Sequence, residues 1–202
     1  MNNRGQLIIL SGPSGVGKSS IVKEVMAQHP KLRFSVSATT REMRPGEIDG
    51  VSYYFVSRER FMEMVAQDEL LEHAEYVGNC YGTPAKPIDE ALDLGYDILL
   101  DIEVQGAMQV KEKRPDAVSV FIMAPSFEEL ERRLTGRGDT APEKIKKRLE
   151  TARMEYTVAP KYDYLVVSET GKVAEAADEI LSIIKAAHCR IHNRIHYLKE
   201  EN

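Results

Sequence analysis

Cysteine is nearly absent from this chain, positive charge is not in excess, and no hydrophobic run is long. The two cysteines, Cys80 and Cys189, stand more than a hundred residues apart. They form neither a disulfide framework nor a CxxC metal pair, so a reducing compartment, the cytoplasm, is expected. Lys and Arg total 27 against 32 Asp and Glu, a formal net charge of −5. That balance argues against a surface for nucleic acid or acidic membrane, although it leaves room for a local basic site. The apolar run Leu7-Ile8-Ile9-Leu10 is too short for a signal-peptide core or a membrane span, and no later run comes close. What remains is ordinary for a globular protein: 202 residues, 29% charged and 43% hydrophobic. At roughly 100–200 residues per domain this is one domain, or one domain with an insert. An enzyme and a binding module are both open at this level.

Gln6–Leu10 reads as a buried strand ended by Ser11-Gly12-Pro13, and a helix follows over Lys18–Gln28 with Ile21, Val22, Val25 and Met26 on one face. Asp97–Asp101, Val118–Met123 and Tyr164–Val167 are short apolar runs, each followed by a helical pattern. Ser126-x-x-Glu129 is a capping box for a helix through Leu134, Pro142 opens a helix toward Val158, and the last helix is expected from Val173 to Lys199. Strands alternating with helices imply a parallel sheet flanked by helices. From Ser37 to Lys86 the rhythm breaks, with strand-like runs at Tyr53–Val56 and Leu70–Val77 and one short helix around Phe61, Met64 and Val65. This stretch reads as an insert with its own sheet, rising from the core after the second strand. The expected organisation is a core of residues 1–36 and 87–202, an inserted subdomain of 37–86, and a lid at about 135–150.

Gly12-Pro13-Ser14-Gly15-Val16-Gly17-Lys18-Ser19 fits the phosphate-loop pattern G-x-x-x-x-G-K-[ST] between a strand and a helix. Glycines let successive N–H groups turn inward on phosphate oxygens, and the helix N-terminus adds partial positive charge. Lys18 reaches the β and γ phosphates, and Ser19 can ligate Mg²⁺. The NKxD and DxxG motifs of a switch GTPase are missing, and the chain is too short for a motor or transporter ATPase. A small-molecule kinase remains.

The insert carries Thr39-Thr40-Arg41-x-x-Arg44-x-Gly46-Glu47, then Tyr53-x-Phe55 and Asn79-x-Tyr81-Gly82-Thr83, and the core carries Asp101-Ile102-Glu103-Val104-Gln105-Gly106. On these residues, and over nearly the whole chain from Gly5 to the final helix, the sequence resembles the guanylate kinases. The resemblance implies a P-loop nucleoside monophosphate kinase fold of the α/β class: a parallel sheet core, a small mixed α/β GMP-binding insert and a helical lid. It implies transfer of the γ-phosphate of ATP to GMP, and to dGMP, within purine nucleotide metabolism. Carried across by position, Arg41, Arg44, Tyr53 and Tyr81 would hold the GMP phosphate, while Ser37, Glu72, Thr83 and Asp101 would read the guanine. ATP is the co-substrate and Mg²⁺ the cofactor, with Ser19 and Asp101 as its candidate ligands; neither nucleic acid nor membrane is an expected partner, and a homodimer is left open.

The chemistry agrees. Guanine presents donors at N1 and its 2-amino group, and a carboxylate such as Glu72 accepts both, whereas adenine would set a lone pair against it. Such sites discriminate by about 10⁴-fold or more. Arg41 and Arg44 offer planar forks suited to one phosphate. Asp101 ends an apolar strand and so emerges at the carboxyl edge of the sheet, where ligands bind in open α/β folds. Guanine and the waters of Mg²⁺ are both open to it as partners.

Arg132 and Arg133, Gly136-Arg137-Gly138, and Lys146, Lys147 and Arg148 form a basic segment whose glycines suit a mobile lid. The resemblance assigns Arg133, Arg137 and Arg148, together with Lys18, Arg41 and Arg44, to the transferring phosphates; Arg132, Lys146 and Lys147 read as a solvated helix face. Because the acceptor is a phosphate whose second pKa is about 6, no general base is needed. The absence of a Ser-His-Asp or HRD arrangement agrees with a phosphate acceptor. Two other readings are a binding module that has lost catalysis, which intact Lys18 and lid arginines disfavour, and a kinase of another phosphorylated acceptor, which Glu72, Tyr81 and Asp101 disfavour.

Smaller features carry less. His188, His192 and His196, four apart beside Cys189, would share a helix stripe but read as a solvated helix end. Cys80 falls in the expected acceptor loop, where alkylation would inhibit. Ser168-Glu169 stands where the resembling family more often has Asn-Asp near the adenine.

Overall fold

The computed structural model describes residues 4–136 and 141–194. Its central sheet has the order β2-β7-β1-β8-β9 among the described residues, built from β1 (Leu7–Ser11), β2 (Leu32–Phe34), β7 (Asp97–Asp101), β8 (Val118–Met123) and β9 (Tyr164–Val167). Every pairing in this sheet is parallel. Helices α1 (Lys18–Gln28), α3 (Ala85–Asp93), α4 (Val104–Lys113), α5 (Phe127–Thr135), α6 (Pro142–Val158) and α7 (Val173–Ala187) flank it.

The apolar strands show no polar alternation because both faces are covered. Ile8 and Leu10 of β1 pack with Ile21 and Val25 of α1 and Ile180 and Ile184 of α7. Leu7 and Ile9 pack on the other face with Ile88 and Leu92 of α3 and Ala107 and Val110 of α4. Parallel pairing brings the carboxyl ends of β1, β7 and β8 to one edge, with Leu10 level with Asp101. The first strand runs to Ser11, one residue beyond the expected end, since Ser11 pairs with Phe121. At Ser126 the side chain accepts from the Glu129 N–H at 3.1 Å, but only this half of the capping box forms. The Glu129 carboxylate turns instead to Arg132, Arg133 and Thr170.

Between β2 and α3 lies a second, mixed sheet in the order β4-β3-β6-β5: β3 (Ala38–Thr39), β4 (Tyr54–Phe55), β5 (Leu70–Tyr76) and β6 (Asn79–Pro84). Helix α2 (Arg58–Ala66) closes it, with Phe61 and Met64 buried against Ala38, Leu70 and Cys80. The stretch expected as an acceptor loop is the strand β6. Val77 and Gly78 both take positive φ, 49° and 76°, which makes a tight two-residue hairpin turn and returns the chain directly into the sheet. Cys80 is therefore a buried core thiol, 6% exposed, and not the accessible loop thiol expected.

The last helix also differs from its expectation. It ends at Ala187, and a short α8 (Ile191–Arg194) follows a break at 188–190. The histidine stripe dissolves: the break separates His188 from the α8 segment, and His196 and the His192 side chain lie outside the described residues. Nor is His188 solvated in the expected way, since its Nε2 meets Asp97 at 2.9 Å, and His29 Nε2 meets the same carboxylate at 2.9 Å. Asp97, whose side chain is 3% exposed, also accepts the Gln6 N–H at 2.7 Å. Burial raises its pKa, but the hydrogen bonds from His188 and Gln6 and the neighbouring imidazoles outweigh this and hold it below the usual value. Its contribution is thus present above the unfolded-state pKa and lost as pH falls through the lower folded value. Asp97→Ala strands three donors, and a loss of about 3 kcal/mol, or a Tm lower by about 6–12 °C, is expected in thermal unfolding. The start of β7 is the edge opposite the phosphate loop, so kcat of the folded variant should match the parent.

Candidate active site

The loop from β1 into α1 is shaped by what its residues lack. A Cβ on Gly12 would lie 2.2 Å from the Ile122 carbonyl oxygen, and Gly17, the N-cap of α1, has φ +92°. Val16 has no exposed surface and packs with Leu130 and Leu134 of α5; burial of such a side chain contributes roughly 1.5–3 kcal/mol and anchors the loop. Helix α1 begins at Lys18, so Lys18 and Ser19 occupy its first turn, where backbone N–H groups are free for an anion.

This loop floors a cleft of about 800 Å³, lined also by Tyr76, Glu103 and the Lys144, Lys147, Arg148, Thr151 and Glu155 side of α6. Lys18 Nζ sits 2.6 Å from Asp101 Oδ1. Lys147 was expected on a solvated face but lines the cleft, because Lys144, Lys147, Arg148, Thr151 and Glu155 recur at the three- and four-residue spacing of one helix side. Arg132 does lie at the surface, paired with Glu129 at 2.7 Å. Burial and the nearby Glu103 push the Glu155 carboxyl up, and Lys18 pulls it down. Glu103 and Glu155 were missed in the sequence, although the Asp101-x-Glu103 spacing at a strand end and the seven-residue step from Arg148 were there to read. A second cleft of about 820 Å³, between α2 and α3, contains none of the motif residues.

Arg133 was expected to reach transferring phosphates. Its guanidinium is instead engaged by protein acceptors: Nη1 donates to the Val16 carbonyl at 3.2 Å, Nη2 to the Ser168 carbonyl at 2.8 Å and to Thr170 at 3.0 Å, and Nε to Glu129 at 2.8 Å. It ties the phosphate loop to the segment after β9. Ser168 itself is buried beside Gly17. Arg137 lies outside the described residues.

The insert contributes two groupings. In the first, Arg41 pairs with both oxygens of Glu47, at 2.7 and 3.1 Å. Its guanidinium stands 5.4 Å from the Tyr53 ring centre, and Tyr53 meets Tyr81 edge-on at 6.2 Å. Glu47, and to a lesser degree Tyr81, raise the pKa of Arg41. The Arg44 N–H donates to Glu47 at 2.7 Å, while its side chain is exposed. Glu47, quoted in the motif but given no role there, orders this loop from the inside.

In the second grouping, Thr83 donates to Glu72 Oε1 at 2.6 Å. Glu72 is 8% exposed; burial pushes its carboxyl above the usual range, opposed by the Thr83 hydrogen bond and assisted by Glu103. Ser37 is half-buried ahead of β3 and its carbonyl accepts the Tyr54 N–H at 2.9 Å. The structure thus brings Arg41, Tyr53 and Tyr81 together, Glu72 and Thr83 together, and Lys18 and Asp101 together.

Comparison with known proteins agrees with this arrangement. The family model described as guanylate kinase matches residues 4–187. A guanylate kinase of Desulfitobacterium hafniense is 48% identical over 189 residues, 94% of each chain. One of Lactococcus lactis is 50% identical over 191 residues, 95% of this chain and 92% of that protein. The crystal structure of guanylate kinase from Anaplasma phagocytophilum superposes with a TM-score of 0.67 at 36% identity, covering 94% of this chain and 89% of that one.

Proposed function

We propose, from the premise that the chain belongs to the guanylate kinase family and is an ATP:GMP phosphotransferase, which of its residues carry the reaction. ATP and GMP are its substrates. The phosphate loop from Gly12 to Ser19 (Gly12, Pro13, Ser14, Gly15, Val16, Gly17, Lys18, Ser19) holds the ATP phosphates, with Lys18 on the transferring group. Arg41, Tyr53 and Tyr81 hold the GMP phosphate, Arg41 being aimed by Glu47 and Arg44 adding its exposed charge. Glu72 and Thr83 read the guanine edge, with Ser37 beside them. Buried, and held by Thr83 on one oxygen, the Glu72 carboxylate has capacity for further donors, and the N1 and 2-amino groups of guanine supply them.

The observation that carries this reading is the Lys18–Asp101 contact in a cleft walled by a cationic side of α6. It favours Asp101 as a partner of Lys18 and of the metal rather than of guanine. The GMP phosphate is already largely anionic, so the task is to bring two anions into line. Lys18, Arg148 and Arg137 offset that charge, and Arg133 braces the loop that presents it. The donors near Lys18, Ser19 and Asp101, are hard oxygens of the kind Mg²⁺ takes. Mg²⁺ keeps several waters and takes one or two protein oxygens together with substrate phosphates, and Ser19 and Asp101 would supply those protein oxygens. When bound at Ser19 and Asp101, Mg²⁺ would supply positive charge that partly neutralises the phosphates. The compartment we propose is the cytoplasm, supported by the unpaired thiols of Cys80 and Cys189.

The test is a coupled assay of ADP formation with ATP, Mg²⁺ and each of GMP, dGMP, AMP, UMP and CMP. GMP should exceed AMP in kcat/KM by about 10⁴-fold. Equal rates with AMP would remove the assignment of Glu72 and Thr83 to guanine.

A further inference from the structure

We propose that Gly106, in the first turn of α4, is a specificity-determining positioning residue: its missing side chain is the berth that holds the Glu72 carboxylate in place for guanine. The proposal rests on the reading of Glu72 given above. Gly106 is not demanded by its own backbone, since it lies within a regular helix and is not among the glycines with positive φ. Glycine is also the poorest helix former after proline, so its presence here has to be explained by its surroundings.

Those surroundings are one side chain. A Cβ added to Gly106 would lie 2.9 Å from Glu72 Oε2, 3.3 Å from its Cδ and 3.4 Å from its Cγ, and these are the nearest atoms it would meet. An exposed glutamate would swing aside at little cost, but Glu72 is almost fully buried and its other oxygen is pinned by Thr83 at 2.6 Å. Nor can the helix retreat. Ala107 and Val110 of α4 have no exposed surface and pack into the core. The Gln109 side chain accepts from the His73 N–H at 3.1 Å and donates to the His73 carbonyl at 3.2 Å, which staples α4 to the strand carrying Glu72. The carboxylate is therefore set by Thr83 on one side and by the bare face of α4 on the other. A methyl group at 106 shifts it by several tenths of an ångström, on the scale at which functional constellations lose their geometry.

The experiment compares Gly106→Ala, Glu72→Gln, Glu72→Asp and the double variant Gly106→Ala/Glu72→Asp in the full chain, with KM for each substrate, kcat, GMP-over-AMP preference and Tm. Gly106→Ala should raise KM for GMP ~10-fold, leave kcat and KM for ATP within about twofold, and change Tm only slightly, because the helix propensity gained with alanine offsets part of the packing strain. Shortening residue 72 withdraws the carboxyl from the new methyl group, so Glu72→Asp should cost less GMP affinity in the Gly106→Ala background than in the parent. An unchanged GMP KM in Gly106→Ala, a parallel loss in kcat and both KM values with a lower Tm, or independent effects in the double variant would each overturn the proposal. If Gly106→Ala does not fold, the double variant should; its failure to fold as well overturns the berth. Glu72→Gln separates the two levels. Unchanged GMP preference there sinks the reading of Glu72 itself, whereas lost preference there with a silent Gly106→Ala sinks only the role of Gly106.

Discussion

Lys18→Ala is expected to lower kcat by about 10³-fold while KM for GMP stays within a factor of about three, since the missing charge acts on the transferring phosphate and not on the acceptor site. The side chain meets Asp101 at the carboxyl edge of the sheet. Its ammonium stands at the first turn of α1, on a loop held by buried Val16 and by Arg133. Removing it leaves that frame intact, so circular dichroism and Tm should change little: the stranded Asp101 side chain is 24% exposed and can hydrate. The measurement is steady-state ADP release at saturating GMP. A kcat within tenfold of the parent would show that the loop does not engage the transferring group.

Glu72→Gln is expected to act on the other substrate. It keeps the size of the side chain and an oxygen for Thr83 but places an amide donor against the donors of guanine. The GMP-over-AMP preference in kcat/KM should then fall from about 10⁴ to about 10² or less, mostly through KM for GMP. Two further consequences follow from burial, which raises the carboxyl's pKa. Guanine requires the ionised form, so KM for GMP in the parent should climb as pH is lowered through that raised value, while the variant should keep only the smaller rise that protonation of the GMP phosphate causes. For stability the sign is the reverse of the Asp97 case. A raised folded-state pKa favours folding below the unfolded value and loses that benefit as pH rises through the folded one, so at neutral pH the buried charge is a net cost. Glu72→Gln should therefore raise the Tm of the free protein, by about 2–4 °C for each ~1 kcal/mol recovered. A lower Tm with unchanged base preference would mean that Glu72 is structural.

The candidate site was legible where chemistry is local in sequence. The phosphate loop needs contiguous glycines, a lysine and a hydroxyl, so residues 12–19 announce themselves. Arg41, Arg44 and Glu47 lie within one loop, though only the structure gives Glu47 its work as the partner of Arg41. Less legible was whatever depends on what a side chain meets across the fold. Arg133 was expected at the transferring phosphates, but Val16, Ser168 and Thr170, from two other segments, take donors of its guanidinium. The two faces of β1 could not be separated in a run of four apolar residues, because both are covered and nothing alternates. The strand β6 was taken for a loop because Val77, a β-branched residue, stands in the hairpin turn at positive φ where sequence rules expect Asn or Gly.

By itself, then, the sequence determined the reaction class and the order of the parts: a strand, a phosphate loop and a helix, an insert bearing arginines and tyrosines, and a basic segment beyond. These follow from residue type and spacing, which act over one turn or one strand. The tertiary structure alone decided which groups are satisfied by the protein and which are left for a ligand. It joined Asp97 to His29 and His188 at one edge of the sheet and Asp101 to Lys18 at the other, although both aspartates bound the same short strand. It also set Glu72 against a glycine more than thirty residues away. Burial and close approach are properties of packed surfaces, and no local pattern encodes them.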